Sequence, residues 1–165
     1  MTVLVTAGSR HGATYEIAEA IGRRLEQEGV EVDVKRPQEV DSVDGYDAVV
    51  LGGATYIGGW VKEAREFARA HAAELAEKPV WVFSSGPLGE PPKPDPDKAV
   101  DVAEVVAILR AREHRLFNGR LDTSALGLGE RAVVAAVRAP EGDFRDWPAL
   151  DAWAHEIATA LATAA

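Results

Sequence analysis

Residues 6–14, TAGSRHGAT, gather Ser9, Arg10, His11, Gly12, Ala13 and Thr14 between a short apolar run and the start of a helical period. A helix beginning here presents unpaired N–H groups and the positive end of its dipole. The hydroxyls of Ser9 and Thr14 add donors, and Gly12 lets a ligand approach the backbone. That set suits the binding of a phosphate group. Ser and Thr are also favoured at helix caps, so a capped tight turn accounts for the same residues.

Two further stretches carry unusual composition. GGATYIGGW (52–60) sets Ala54, Thr55, Tyr56, Ile57 and Gly58 among glycines, with Trp60 beyond. Glycines permit close backbone approach and the aromatics offer flat faces, a combination that suits stacking on a planar ring. Tyr56 and Trp60 would equally serve to cover a helix end. SSGPLGEPP (84–92) supplies Ser84, Ser85, Gly86, Pro87, Leu88 and Gly89, small polar backbone able to bond the edge of a heterocycle, or an ordinary turn.

Other chemistries are absent from the pattern. Gly8 and Gly12 are too close for a P-loop and no lysine follows, and no G-x-G-x-x-G follows the first apolar run. A phosphoacceptor site of the receiver type would need acidic residues where the runs end in Ala7-Gly8 and Gly52-Gly53. His71, His114 and His155 show no metal-ligand spacing, so no metal is expected, and no nucleophile–base pair is readable.

The elements that must position these stretches alternate along the chain. Residues 2–7, 30–35, 47–53 and 79–85 are short, β-branched and mostly apolar, as parallel strands covered on both faces are. HRLFNG (114–119) is a weaker fifth. Between them, Ile17, Ile21 and Leu25 mark one helix. Ala64, Phe67, Ala68, His71, Ala72 and Leu75 mark a second over 61–77. Leu150, Trp153, Ala154, Ile157, Ala158 and Leu161 mark a last one with Pro148 in its first turn. Further helices are expected near 100–111 and within 126–137, and 86–99, with five prolines and two glycines, as a functional loop. The pattern predicts one α/β domain over residues 1–165. Its five-stranded parallel sheet has the order 2-1-3-4-5, in a three-layer sandwich with helices on both faces. Ligands of such sheets bind at the carboxyl edge near the switch in strand order, and all three unusual stretches fall on that edge.

Composition narrows the function classes. The 165 residues carry 18 Lys+Arg against 27 Asp+Glu, a net charge of −9, which disfavours nucleic acid and anionic membranes as partners. With no cysteine, redox chemistry requires a bound cofactor. No segment reads as a membrane span or signal peptide, and a cytoplasmic protein is expected.

SRHGAT resembles the phosphate loop of the flavodoxin-like FMN-binding family, [ST]-x-T-G-x-T, with Ser9, Gly12 and Thr14 in register and His11 in place of the middle threonine. ATYIGG and SSGPLG fall where that family holds the isoalloxazine. The likeness is nearest to the flavodoxin-domain group that includes menaquinone-dependent protoporphyrinogen oxidase, which also shares REFARAHAAEL and a segment here at 119–146. The resemblance implies FMN as cofactor. It also implies a redox role, as an oxidoreductase serving a quinone-like or other small acceptor, or as an electron carrier docking to a redox partner protein. A deazaflavin in place of FMN, and a flavin-free binding module, are the alternatives. Segment 119–146 is neither strongly basic nor rich in large aromatics, unlike the membrane-facing surface that quinone and porphyrinogen substrates would call for.

Overall fold

The computed structural model describes residues 1–9, 12–56, 59–86, 102–118, 120–121, 142–143 and 145–164. Five strands form the sheet: β1 (Thr2–Gly8), β2 (Glu31–Lys35), β3 (Ala48–Tyr56), β5 (Val80–Gly86) and β6 (Glu113–Asn118). Their spatial order is β2-β1-β3-β5-β6 and every neighbouring pair is parallel. Counting these five alone, that is the expected order 2-1-3-4-5. The two-residue strand β4 (Gly59–Trp60) adds an antiparallel pairing to the end of β3.

Helices cover both faces, so the central strands are apolar on both. On one side, α1 (Ala13–Gln27) and α5 (Trp147–Ala164) bury Ile17, Ile21, Leu25, Trp153 and Ile157 against Val3, Val5 and Phe83. On the other, α2 (Lys62–Ala70), α3 (Ala72–Leu75) and α4 (Ala103–Leu109) bury Phe67, Leu75 and Leu109 against Leu4, Leu51 and Val82. Each such side chain contributes about 1.5–3 kcal/mol relative to exposure. Trp153, wholly buried, packs edge-on to Phe83 at 6.1 Å and donates its Nε1–H to Glu113. Pro148 lies in the first turn of α5, and Asp146 Oδ1 accepts the Ala149 N–H at 3.1 Å, capping the helix.

Three expectations shift. The helix over 61–77 divides at His71, whose backbone (φ −112, ψ 17) leaves the helical region. The bonds His71 N–H to Phe67 O and Leu75 N–H to His71 O carry across, so the apolar spacing is preserved. The helix near 100–111 is confined to Ala103–Leu109, and Arg110, in the left-handed region at φ 51, ends it. A short antiparallel pair, β7 (Arg120–Leu121) with β8 (Gly142–Asp143), has no counterpart in the sequence pattern. The helix expected within 126–137 lies outside the described residues, as does nearly all of the 86–99 loop.

The chain turns one way from β1 through α1 to β2, and the other way from β3 through α2 and α3 to β5. The switch therefore lies between β1 and β3, whose carboxyl ends run in register to Gly8 beside Gly53.

Candidate functional site

The turn into α1 is set by the backbone of Gly12. Gly12 adopts φ 87, ψ −14, the left-handed region that a side chain resists, and a Cβ there would meet nothing within 4 Å. Its N–H donates to Ser9 Oγ at 2.9 Å, and its carbonyl accepts the Glu16 N–H at 3.0 Å to open α1. Among the described residues, no side chain caps the helix. The first N–H groups of α1 are thus left facing the carboxyl edge of the sheet, and the Ser9 hydroxyl keeps its own proton to donate. Thr14 is buried at the helix start. Arg10 and His11 lie outside the described residues.

Electrostatics around this turn involve a residue that no local motif singles out. Glu16, in the first turn of α1, would repel an anion. Arg145 Nη1 lies 3.2 and 3.4 Å from its two carboxylate oxygens. The Arg145 side chain is only 6% exposed, and its guanidinium sits 4.6 Å over the Trp147 ring. The pair spans 129 positions of sequence, and only the docking of α5 against α1 brings it together.

The second stretch is more regular than its composition suggests. β3 continues through Tyr56, and Thr55 and Tyr56 pair with Trp60 and Gly59. Ala54 and Thr55 are half-buried at this rim, and Ala54 O accepts the Val61 N–H at 2.9 Å. Gly52 and Gly53 are strand residues whose missing Cβ makes room for rings. A Cβ at Gly52 would lie 2.0 Å from Phe83 Cζ, and one at Gly53 would lie 2.6 Å from Trp60 Cδ2. Their role is internal packing, not the approach of a ligand.

Trp60 is correspondingly a core residue, only 2% exposed. Its Nε1–H donates to Ser84 Oγ at 2.8 Å, and Ser84 Oγ is also 2.8 Å from His114 Nε2. The expectation of a stacking face at Trp60 is corrected by this burial. The tryptophan anchors the β3–β4 ribbon from below. Ile57 and Gly58 lie outside the described residues, and of Tyr56 only the backbone is described.

The first three residues of the third stretch belong to a strand. Ser84, Ser85 and Gly86 are buried β5 residues, paired with β3 and β6, so their backbones serve the sheet ladder. Pro87, Leu88 and Gly89 lie outside the described residues. Thr55 Oγ1 donates to Ser85 O at 3.2 Å and ties the rims of the second and third stretches together.

The remaining histidines are structural. His71 packs its ring 4.8 Å from Phe67, and His155 Nδ1 lies 2.6 Å from Glu28 Oε1. Among the described residues, no three His, Asp or Glu side chains are grouped to hold a metal. No helix there is long and apolar enough to cross a membrane.

Comparison with known proteins agrees with this geometry. The family model described as "Flavodoxin domain" matches residues 4–147. Protoporphyrinogen IX dehydrogenase [quinone] of Escherichia coli strain K12 is 27% identical over 95 residues, 56% of this chain and 52% of that protein. The matched region thus spans about half the length of that curated relative. Among solved structures, rubredoxin oxygen:oxidoreductase from Desulfovibrio gigas superposes with TM-score 0.66 at 14% identity, over 98% of this chain but 36% of that one. The Streptococcus pneumoniae TIGR4 flavodoxin gives TM-score 0.62 at 21% identity, covering 96% and 99% of the two chains. A single-residue mutant of the Pseudomonas aeruginosa flavodoxin gives 0.60 at 18%, covering 98% and 99%. At these identities the structural likeness establishes the fold.

Proposed function

The chain belongs to the flavodoxin domain family, and on that premise we propose that it binds FMN at the carboxyl edge of its sheet and passes electrons to a small, quinone-like acceptor. The observation that carries this reading is the Gly12 turn. It leaves the start of α1 without a side-chain cap from the described residues and Ser9 Oγ folded onto the Gly12 N–H, with open space where a Cβ would be. A terminal phosphate satisfies those N–H groups as no side chain of the described residues does.

Ser9, Gly12, Ala13 and Thr14 would hold the phosphate, with Arg10 and His11 supplying further donors. Arg145 holds the Glu16 carboxylate in an ion pair and so offsets the nearest negative charge of α1. Ala54, Thr55, Tyr56, Ile57 and Gly58 would border the ring on one side and Gly86, Pro87, Leu88 and Gly89 on the other. Ser84, Ser85 and Trp60 support that rim from within the core.

When bound, FMN supplies electron-transfer chemistry that a chain without cysteine lacks. The protein's part is orientation and charge. The net charge of −9 disfavours further negative charge at the edge, an effect weakened by salt, and weights the site towards a low potential. A quinone-like acceptor is favoured by the likeness to the quinone-linked Escherichia coli relative.

The test is the visible absorption spectrum of the purified protein, with FMN added to any colourless fraction, followed by reoxidation of the dithionite-reduced protein by a soluble quinone. Bound FMN with rapid reoxidation supports the reading. A chain that takes up no FMN refutes it.

A further inference from the structure

β5 and β6 pair Val82 with His114 in parallel register. Side chains alternate across a strand, so Ser84, two residues beyond Val82, shares a face of the sheet with His114. That face also carries Trp60, buried in the same cluster as Val82. Three polar side chains from three strands meet there. Trp60 Nε1 lies 2.8 Å from Ser84 Oγ, and Ser84 Oγ lies 2.8 Å from His114 Nε2.

The first member sets the direction of this chain. An indole N–H can only donate, so Ser84 Oγ accepts from Trp60. Ser84 is wholly buried, and a buried hydroxyl needs an acceptor for its own proton. Among the described residues, Ser84 Oγ bonds to no side chain besides Trp60 and His114. The Ser84 proton therefore goes to His114 Nε2, the bare nitrogen of a neutral imidazole that carries its proton on Nδ1. With a proton on Nε2 instead, the ring would leave the Ser84 hydroxyl without that acceptor.

The chain ends on the ring side of the candidate site. The Trp60 indole lies against Gly53, where a Cβ would come within 2.6 Å of Cδ2, and Gly53 pairs with Gly8 at the switch in strand order. Trp60 also pairs with Thr55 in the β3–β4 ribbon, whose two strands flank positions 57 and 58. The setting of the indole thus sets where the ribbon stands over the switch point.

We propose that His114, held as the Nδ1–H tautomer, is a positioning residue for the flavin ring: through Ser84 it fixes the Trp60 indole, and with it the ribbon that borders the ring. The consequence for flavin rests on the FMN reading, whereas the tautomer and the setting of the indole are measured without flavin.

The test compares the unaltered chain with His114→Leu, which has no acceptor, and His114→Gln, whose amide oxygen can replace Nε2. Long-range proton–nitrogen NMR of the flavin-free chain at pH 7 is expected to show His114 protonated on Nδ1 and bare on Nε2. The Trp60 indole N–H resonance is expected to shift in His114→Leu and to stay near its place in His114→Gln. FMN and riboflavin, which share the ring, are both expected to bind His114→Leu about tenfold more weakly, the scale of one unsatisfied buried donor, and His114→Gln within about threefold of the unaltered chain. A proton on His114 Nε2, an indole resonance indifferent to His114→Leu, or flavin affinities that His114→Gln restores no better than His114→Leu overturns the proposal. An unaltered chain that takes up neither flavin refutes the FMN reading, and the two NMR measurements still decide whether His114 fixes Trp60.

Discussion

The indole N–H of Trp60 donates to Ser84 Oγ across 2.8 Å in the core, under the rim that β3 and β5 share. This bond joins the β3–β4 ribbon to the neighbouring strand. It also places Ser84 between two ring nitrogens, the second being His114 Nε2 at 2.8 Å. The rim therefore rests on a polar chain, Trp60–Ser84–His114, as well as on apolar packing.

Ser84→Ala removes the acceptor and leaves a buried indole N–H unpaired. The expected loss is about 1–3 kcal/mol of folding stability, read by chemical denaturation. A loss below ~0.5 kcal/mol would mean that the bond does not hold the ribbon.

Gly52→Ala sets a methyl group against the Phe83 ring, with three ring atoms within 2.5 Å of the added Cβ. Overpacking of this kind costs about 1–3 kcal/mol and here belongs at the upper end. Phe83→Leu in the Gly52→Ala background recovers part of that loss. A double-mutant cycle with no coupling between the two positions would contradict the contact.

Gly12→Ala costs about 1–2 kcal/mol through backbone strain alone, because space for the methyl group is open and φ is +87. FMN affinity falls with it, whereas Gly12→Asn, better tolerated in that region, loses less. Thermal denaturation and an FMN titration of both variants check the order.

Arg145→Gln releases the Glu16 carboxylate from its partner at the start of α1. FMN binding is expected to weaken about 3–10-fold, the scale of a charge at a helix end, while binding of riboflavin, which has no phosphate, stays unchanged. Equal loss for both would assign Arg145 to packing alone.

Glu28 titrates below its ordinary value of 4.5, first because His155 hydrogen-bonds to it and next because Arg24 does. A carboxyl group whose pKa is depressed on folding stabilises the fold above its unfolded value, and loses that contribution as pH falls through the folded value. Glu28→Gln should therefore narrow the stability difference between pH 7 and pH 3. A difference between the two proteins that is the same at every pH would contradict the ion pair's role.

Much of this architecture is legible in the residues. Runs such as Val3–Val5 and Val80–Phe83 are apolar on both faces only because helices cover both, and the four-residue steps at Ile17, Ile21 and Leu25 can bury one stripe only as a helix. The site is half legible. Ser9, Gly12 and Thr14 declare a turn and a helix start within a few positions. Trp60 misleads because glycines and aromatics together have the composition of a binding loop, while its burial depends on Gly53 and Ser84 from two strands. The role of Gly52 is invisible without Phe83 across the sheet. Arg145 meets Glu16 only through the docking of α5 against α1, which no local pattern encodes.

A phosphate cradle at the Gly12 turn is tested most directly by titrating the purified chain in parallel with FMN and riboflavin, followed by flavin fluorescence. The phosphate cradle predicts quenching by FMN binding at least about tenfold tighter than riboflavin, since only FMN carries the anion that the α1 N–H groups await. No binding of FMN, or equal affinity for the two, would contradict it.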